Sequence, residues 1–465
     1  LLFWAFWNTV RVTKNIKDIF EPDKTRQHVI KHLSLALGSL VALYLLSIAA
    51  VLAVREGANY MFEKKIESLK SQNMPVSMVD FEMIPPKGMN AAFALEDFNN
   101  GPAREFRNAD TLWKLLNIKY ENFDGFLSSK WDKKQVLRVK QFVKATSKMF
   151  NQFEVILDSH DFYRFTDVKA AAKMQGKGPE CFNTRDICKG LAVKSKLQVI
   201  EGDFDGALKT NKRMIKYCDF LSQDPDLLCK FVAMAHQTTC AGSLNVVLDI
   251  NGAEQKVFGP AYPFLNALAK KNLAEEALQV QRAWTIDYIR SNLNTFDPNI
   301  IRGLLGPFFK EHYNSALWKP FKPVLQNMFA ISALKFLDNY YDEIKLYQFP
   351  VSKVGAYGEK KDREERKLSV WPLMFVRLCE AEPAKSILAD ADADILVNLL
   401  DVKRAIIDFH GKTGRYPEKA GQLADFVSDK KNLIDLYTGQ YFVFKKYGNT
   451  LLIYGVNQDG KEIAK

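Results

Sequence analysis

Residues 33–54 read LSLALGSLVALYLLSIAAVLAV, an uncharged stretch that decides the architecture of the chain. His32 and Arg55 bracket this stretch. At about 1.5 Å per residue a helix of this length extends about 33 Å, enough to cross a bilayer core of about 30 Å. A buried helix of a globular domain and a cleaved signal peptide are the alternatives, but the stretch is apolar on all sides and starts well inside the chain. We therefore predict an uncleaved membrane-spanning helix over 32–55.

The segment before the predicted span is a second membrane signal. It opens with LLFWAFW (1–7), and Arg11, Lys14 and Lys17 follow at helical spacing. Aromatic rings favour the membrane interface, and basic side chains meet anionic headgroups. We predict an amphipathic segment over 1–31 that lies on the membrane or on a neighbouring subunit. The residues predicted to anchor the chain are Trp4, Trp7, Leu33, Leu46 and Val54.

The distribution of basic residues favours one orientation in the membrane. Residues 11–31 carry six Lys and Arg, whereas residues 55–70 carry four. Because cytoplasmic flanks are enriched in Lys and Arg, we predict a cytoplasmic N-terminus, a single pass and an extracytoplasmic bulk of the chain.

Composition limits the class of protein. The chain has 465 residues, 47% of them apolar, and 65 Lys and Arg against 54 Asp and Glu. These values exclude a disordered chain, a collagen-like fibre and a small disulfide scaffold, and the length suggests two or three domains. The charged stretch YGEKKDREERK (357–367) mixes both signs and is poor in aromatic residues suited to base stacking. We therefore attribute the net charge of +11 to membrane-surface or partner electrostatics and predict no nucleic-acid partner.

The periodicity of the remaining chain predicts a mainly α protein. Residues 56–389 show apolar side chains at three- and four-residue spacing and form a predicted α-helical extracytoplasmic domain. Within it, 191–221 reads as a helix, a turn at Gly202-Asp203 and a second helix. The spacing of small and apolar residues is typical of a tetratricopeptide-type hairpin, although an ordinary helical hairpin is the alternative and one copy makes no solenoid.

Residues 390–465 predict a small α+β domain. A helix is predicted from about 391 to 411, and YFVF (441–444) and LLIY (451–454) read as short strands joined by a turn.

Three motifs carry a family resemblance in this last domain: GRYP (414–417), DLYTG (435–439) and YGVNQDG (454–460). They resemble the globular end of type II secretion pseudopilins, although Leu436 stands where that pattern usually has Pro. The N-terminal pilin helix is not attached directly to the domain. The resemblance therefore implies a pseudopilin-like domain borrowed by another protein.

Four further motifs extend the resemblance along the chain: NMP (73–75), NAA (90–92), EGDFDGAL (201–208) and QRA (281–283). Together with the membrane helix they resemble a family of single-span membrane proteins from planctomycete-type bacteria. Gln281 stands where Glu is more usual. The resemblance implies the architecture and a location at the bacterial cell membrane, without implying an activity.

Metal-binding and disulfide candidates are few among the six cysteines. Cys229, His236 and Cys240 recur at i, i+7 and i+11, so they share one helix face, and such ligands hold zinc or copper. We favour the alternative of a buried core stripe. Asn457 and Asp459 fit a calcium loop or, as we favour, a β-turn, because too few acidic residues accompany them. Cys181 and Cys188 flank a short stretch and would pair in an oxidising compartment.

Catalytic signatures are weaker still. DSHD (158–161) holds the residue types of a triad, but adjacent residues rarely point at one reacting atom. The sequence contains no HExxH, GxSxG or phosphate-binding glycine loop. We therefore predict no catalytic residue, no cofactor and no metal.

These observations predict a non-enzymatic, membrane-anchored accessory or scaffold subunit of a cell-envelope complex. Its predicted partners are the lipid bilayer and other membrane or envelope proteins, bound through the helical domain. One alternative is a component of a secretion or pilus-related assembly. The other is an envelope hydrolase without a recognisable motif, which predicts a deep pocket with converging carboxylates or titratable groups of perturbed pKa.

Overall fold

The computed structural model of the chain describes residues 23–82, 87–103, 113–114, 116–119, 122–173, 185–250, 252–295, 383–447, 450–456 and 462–464, with single positions between 331 and 360. The protein is mainly helical, with one long apolar helix near its N-terminus. The helices are α1 (Asp23–Ser71), α2 (Ala92–Asn100), α3 (Phe123–Ser128), α4 (Lys133–Ser159), α5 (Val168–Ala172), α6 (Arg185–Ile200), α7 (Phe204–Gln223), α8 (Leu227–Leu248), α9 (Gly259–Ala269), α10 (Leu273–Thr295) and α11 (Pro383–Thr413). The strands are β1 (Val443–Tyr447), β2 (Thr450–Val456) and β3 (Glu462–Ala464).

Helix α1 is longer than the predicted span at both ends. Its 49 residues extend about 74 Å without interruption, and its apolar part is long enough to cross a membrane. Leu46 and Val54 are exposed there, as lipid contact requires, and Leu33 is half-buried. Trp4 and Trp7, predicted to anchor the chain, lie outside the described residues.

The C-terminal third of α1 belongs to the folded domain. Ala58, Phe62, Ile66 and Leu69 recur every three or four residues, and all four are buried on one face. The helix ends where Asn73 adopts a left-handed conformation with φ of 57°. The amide of Met74 then donates to the carbonyl of Leu69, a Schellman-type cap.

Three consecutive helices form the centre of the molecule. Gly202 turns the chain between α6 and α7 with a φ of 80°, and the Asp203 carboxylate caps α7 by accepting from the amide of Gly206. The predicted helix, turn and helix of 191–221 are thus present. Helix α8 packs against α6, α7, α10 and α11, which explains why its sequence is apolar on nearly every side.

Two apolar cores meet at helix α11. The first takes side chains from α3, α4 and α6–α9, and Val397 and Leu400 of α11 join it. The second joins the buried face of α1 to α10, to Ile395 and Val402 of α11, and to Ile453 of β2. Helix α1 and the C-terminal region therefore share one hydrophobic core.

The C-terminal region combines α11 with a small antiparallel sheet. Helix α11 starts at Pro383, earlier than predicted, because the alternating stretch ADADAD (389–394) continues the helix. The strand order is β1-β2-β3, with Val443 opposite Tyr454 and Tyr454 opposite Ala464. This arrangement matches the predicted α+β character.

Candidate binding cleft

A cleft of about 930 Å³ lies where α3, α8 and α11 meet the C-terminal region. Tyr416 and Ile453 bring the C-terminal region to its wall. Ligand sites usually have volumes between about 300 and 1,000 Å³ and often lie at the junction of two structural units. This cleft is therefore the best candidate for a functional site among the described residues.

The floor of the cleft is an aliphatic stripe of α11. Leu396, Leu399, Leu400, Ile406 and Ile407 recur at helical spacing and all line the cleft. Leu399 and Leu400 also belong to the two apolar cores, so they hold the floor in place. The floor offers apolar surface and no hydrogen-bonding side-chain group.

The facing walls are built from small residues. Ala241 and Gly242 of α8 and Gly125 of α3 line the cleft. A Cβ atom at Gly125 would meet nothing within 4 Å, and one at Gly242 would lie 3.7 Å from Leu127 Cδ2. Because these residues carry little or no side chain, the space between the helices stays open.

One edge of the cleft carries a hydrogen-bonded ion pair. Lys403 Nζ of α11 donates to Asp249 Oδ1 at 2.6 Å and to Asn245 Oδ1 at 3.0 Å. Asn245 and Asp249 lie one turn apart at the end of α8, so both reach the same ammonium group. The charge of Asp249 is thus balanced by Lys403.

Asp124 is the second carboxylate of the cleft. It lies in the first turn of α3 and is exposed. Within the described part of the chain, its side chain makes no ion pair. Among the described lining residues there are two carboxylates and one ammonium group, and Asp124 is the unbalanced charge of this set.

A buried lysine donates hydrogen bonds to the C-terminal end of α3. Lys196 Nζ donates to the carbonyls of Leu127 at 2.7 Å and Ser129 at 2.5 Å, and it lies 4.1 Å from the ring centroid of Trp131. Burial lowers the pKa of Lys196 to about 8, and the charge of Asp249 opposes this shift. Because its ammonium group is occupied by carbonyls at the C-terminal end of α3, we assign Lys196 a role in positioning this helix.

A pair of buried acids lies on the same helix as the cleft floor. Asp390 Oδ2 accepts from the amide of Ala274 at 3.1 Å, and Asp394 Oδ1 accepts from Gln237 Nε2 at 3.1 Å. Burial, together with the charge of Glu276, raises the pKa of Asp390 to about 6. Burial and the neighbouring Asp390 raise the pKa of Asp394 to about 8. These acids join α11 to α8 and α10.

The predicted metal candidates on α8 occupy core positions. Cys229, His236 and Cys240 are all buried, and the ring of His236 packs 5.5 Å from that of Tyr217. Burial raises the pKa of the Cys240 thiol to about 12, which disfavours the thiolate that a metal needs. No group of three or more His, Cys, Asp or Glu side chains in the described ranges is placed to hold a metal. All three residues therefore lie in the protein core, and the choice between a core stripe and a metal site stays a prediction.

The other predicted site residues are only partly described. Cys188 is buried and forms no disulfide with another described cysteine, while Cys181 lies outside the described residues. Asn457 and Asp459 also lie outside them. The disulfide and the calcium loop therefore stay predictions.

The acids of DSHD (158–161) have structural partners. Asp158 pairs with Arg213, and this hydrogen bond lowers the pKa of its carboxyl group. Asp161 accepts from the amide of Met89 at 2.9 Å. Ser159 Oγ lies 3.0 Å from His160 Nδ1, but the hydroxyl donates to the carbonyl of Val155 at 2.7 Å and Nδ1 lies 2.8 Å from the carbonyl of Ile156. The absence of a catalytic residue in this stretch stays a prediction.

Two motifs behind the family resemblance contact each other. Arg282 of QRA is buried, and its Nε and Nη2 donate to the carbonyl of Pro75 of NMP at 3.1 and 2.9 Å. In the NAA motif, Asn90 exchanges hydrogen bonds with the backbone of Arg164. These motifs therefore hold distant segments together.

Sequence reasoning missed the cleft. Its signals are Asn245 and Asp249, polar residues one turn apart at the end of α8, and Lys403 on the floor helix. The pairing of these residues across two helices depends on tertiary packing.

No protein-family model, no curated protein sequence and no solved structure matches this chain.

Proposed function

We propose that this protein is a non-enzymatic, membrane-anchored accessory or scaffold subunit of a bacterial cell-envelope complex. Its N-terminus would be cytoplasmic, and its helical domain would bind other membrane or envelope proteins. The observation that carries the proposal is the continuity of α1, which passes from an exposed apolar span directly into a buried face of the domain. Such a helix holds the domain at a fixed position above the bilayer.

Contacts on both sides of the junction support this fixed attachment. Arg290 of α10 forms a two-pronged ion pair with Glu63 of α1, with distances of 3.2 and 2.7 Å. Ser77 and Met78, just beyond α1, both donate to Asp287 of α10. A flexible tether would have no need of these contacts.

The chemistry of the cleft favours binding over hydrolysis. Of its two acids, Asp249 is held by Lys403, and neither a histidine nor a cysteine is among the described lining residues. The hydrolase alternative predicts a deep pocket with converging carboxylates or with titratable groups of perturbed pKa. The acids with strongly raised pKa values, Asp390 and Asp394, are not among the described lining residues.

A secretion or pilus-related assembly is the second candidate. The resemblance of the last domain to pseudopilins suggests it, and a long helix followed by an antiparallel sheet is compatible with that resemblance. The tetratricopeptide-type resemblance of α6 and α7 likewise suggests a protein-binding face. Both assignments belong to the proposal.

The test is to extract the native protein in mild detergent, separate it on a sizing column and identify co-eluting proteins by mass spectrometry. A stoichiometric set of membrane or envelope partners supports the scaffold function, and pilin-like partners favour the second candidate. Elution of the protein alone, or only with copies of itself, contradicts both.

A further inference from the structure

We propose that the cleft between α3, α8 and α11 binds a small amphiphile with an aliphatic chain and a cationic amine end. This inference goes beyond the scaffold function and does not depend on it. It rests on the shape of the cleft, on its aliphatic floor and on the unbalanced carboxylate of Asp124.

The floor selects the chain of the ligand. Its α11 residues are leucines and isoleucines, and Tyr416 is the one aromatic residue among the described lining residues. An aliphatic chain removes apolar surface from water against such a floor, at about 25 cal/mol for each Å² buried. A flat aromatic ligand would find few rings to stack on.

The small residues in the walls of the cleft leave room for the aliphatic chain of the ligand. Gly125 and Gly242 leave space on two different helices, and a Cβ atom at either position meets no atom closer than 3.7 Å. A side chain of leucine size at either position would therefore extend into the space that the ligand needs.

The charged side chains that line the cleft favour a ligand with a positive charge. The charge of Lys403 is already balanced by Asp249 at 2.6 Å, and Asn245 accepts a second hydrogen bond, so Lys403 offers an anionic ligand no unbalanced positive charge. Asp124 has no ion-pair partner within the described residues, and an ammonium group beside it would balance its charge. Lys196 donates to the carbonyls of Leu127 and Ser129 below α3 and is not among the lining residues.

The experiment uses the full chain in lipid nanodiscs and three photoreactive probes of equal chain length. The probes are a ten-carbon diazirine-bearing amine and the matching alcohol and carboxylic acid. After illumination, the labelled residues are mapped by mass spectrometry. We expect the amine to label 238–249 and 396–407, about threefold to fivefold more than the acid does, since an exposed ion pair contributes modestly.

Matched variants test the site and the charge separately. Gly242→Leu and Gly125→Leu, which block the cleft from two sides, should each reduce this labelling by about tenfold or more. Gly411→Leu, on an exposed part of α11 outside the cleft, should leave it unchanged. Asp124→Asn should remove the preference for the amine while keeping the labelled positions.

Three results would overturn the proposal. They are the absence of labelling in the cleft, labelling that survives both leucine variants, and equal labelling by amine and acid. None of them bears on co-elution with membrane partners, so failure here is distinct from failure of the scaffold function.

Discussion

Asp394 shows how a single carboxyl group connects α11 to its neighbours. Burial first, and the nearby Asp390 second, raise its pKa from 3.8 to about 8, while the hydrogen bond from Gln237 acts in the opposite direction. The folded protein therefore keeps a proton on Asp394 at pH values where the unfolded chain has lost it. This group lowers the free energy of unfolding progressively as the pH rises from about 4 to about 8.

We expect Asp394→Asn to stabilise the protein at pH 8 by roughly 1–3 kcal/mol and to have little effect near pH 4. Asparagine keeps the shape of the side chain and removes the charge that burial opposes. Thermal unfolding can be followed at both pH values by far-ultraviolet circular dichroism, which reports the loss of the helices. A variant with the same stability difference at both pH values would contradict this account.

Arg282 is a second residue whose substitution is expected to change the stability of the protein. Its guanidinium group is 1% exposed and donates twice to the carbonyl of Pro75. Lysine keeps the charge but lacks the planar fork, so we expect Arg282→Lys to lower the free energy of unfolding by about 2 kcal/mol. Arg290→Lys is the matched control, because its ion pair with Glu63 is exposed and contributes about 1 kcal/mol or less. If Arg282→Lys and Arg290→Lys lowered the free energy of unfolding equally in thermal unfolding, the contact made by Arg282 would not be the stronger one.

At the scale of elements, the contact between α4 and α6 depends on one glycine. A Cβ atom at Gly190 of α6 would lie 2.7 Å from Phe150 Cζ of α4, and Phe150 is fully buried. We expect Gly190→Ala to destabilise the protein by about 1–3 kcal/mol, because the ring has no free space into which to move. Thermal unfolding measures the change.

Gly242→Ala provides the contrast on helix α8. Its added Cβ would meet Leu127 at an ordinary 3.7 Å, so alanine should be neutral or should stabilise by up to about 1 kcal/mol through helix propensity. If Gly190→Ala and Gly242→Ala lowered the free energy of unfolding by the same amount, the close contact between α4 and α6 would be contradicted.

The elements also show how far sequence reasoning reaches. The apolar span, the turn at Gly202 and the central hairpin follow from local signals, namely hydropathy, a left-handed glycine and an aspartate cap. The prediction placed the start of α11 near 391, whereas the helix begins at Pro383. The buried hydrogen-bond donors that the fold gives Asp390 and Asp394 come from α10 and α8, which the sequence alone does not bring together. The cleft was missed because its pairs join helices that are far apart in sequence.

At the scale of the whole molecule, α1 connects the predicted membrane span to the folded domain. The sequence predicted a span over 32–55, and the structure continues the same helix to Ser71. The periodicity that marks the docked part begins at Ala58 and spans only a few turns, so hydropathy alone could not show that the span enters the domain core. The second hydrophobic core joins α1, α10, α11 and the C-terminal sheet.

The central claim is that α1 is one helix that crosses the membrane and then docks in the domain. A spin-label scan of residues 33–71 in the full chain, reconstituted in bilayers, tests it most directly by comparing collisions with oxygen and with a water-soluble nickel complex. We predict high oxygen and low nickel accessibility throughout 33–54, followed by a 3.6-residue period with immobile labels at Ala58, Phe62, Ile66 and Leu69. High nickel accessibility within 33–54, or mobile and non-periodic labels over 58–69, would contradict the account.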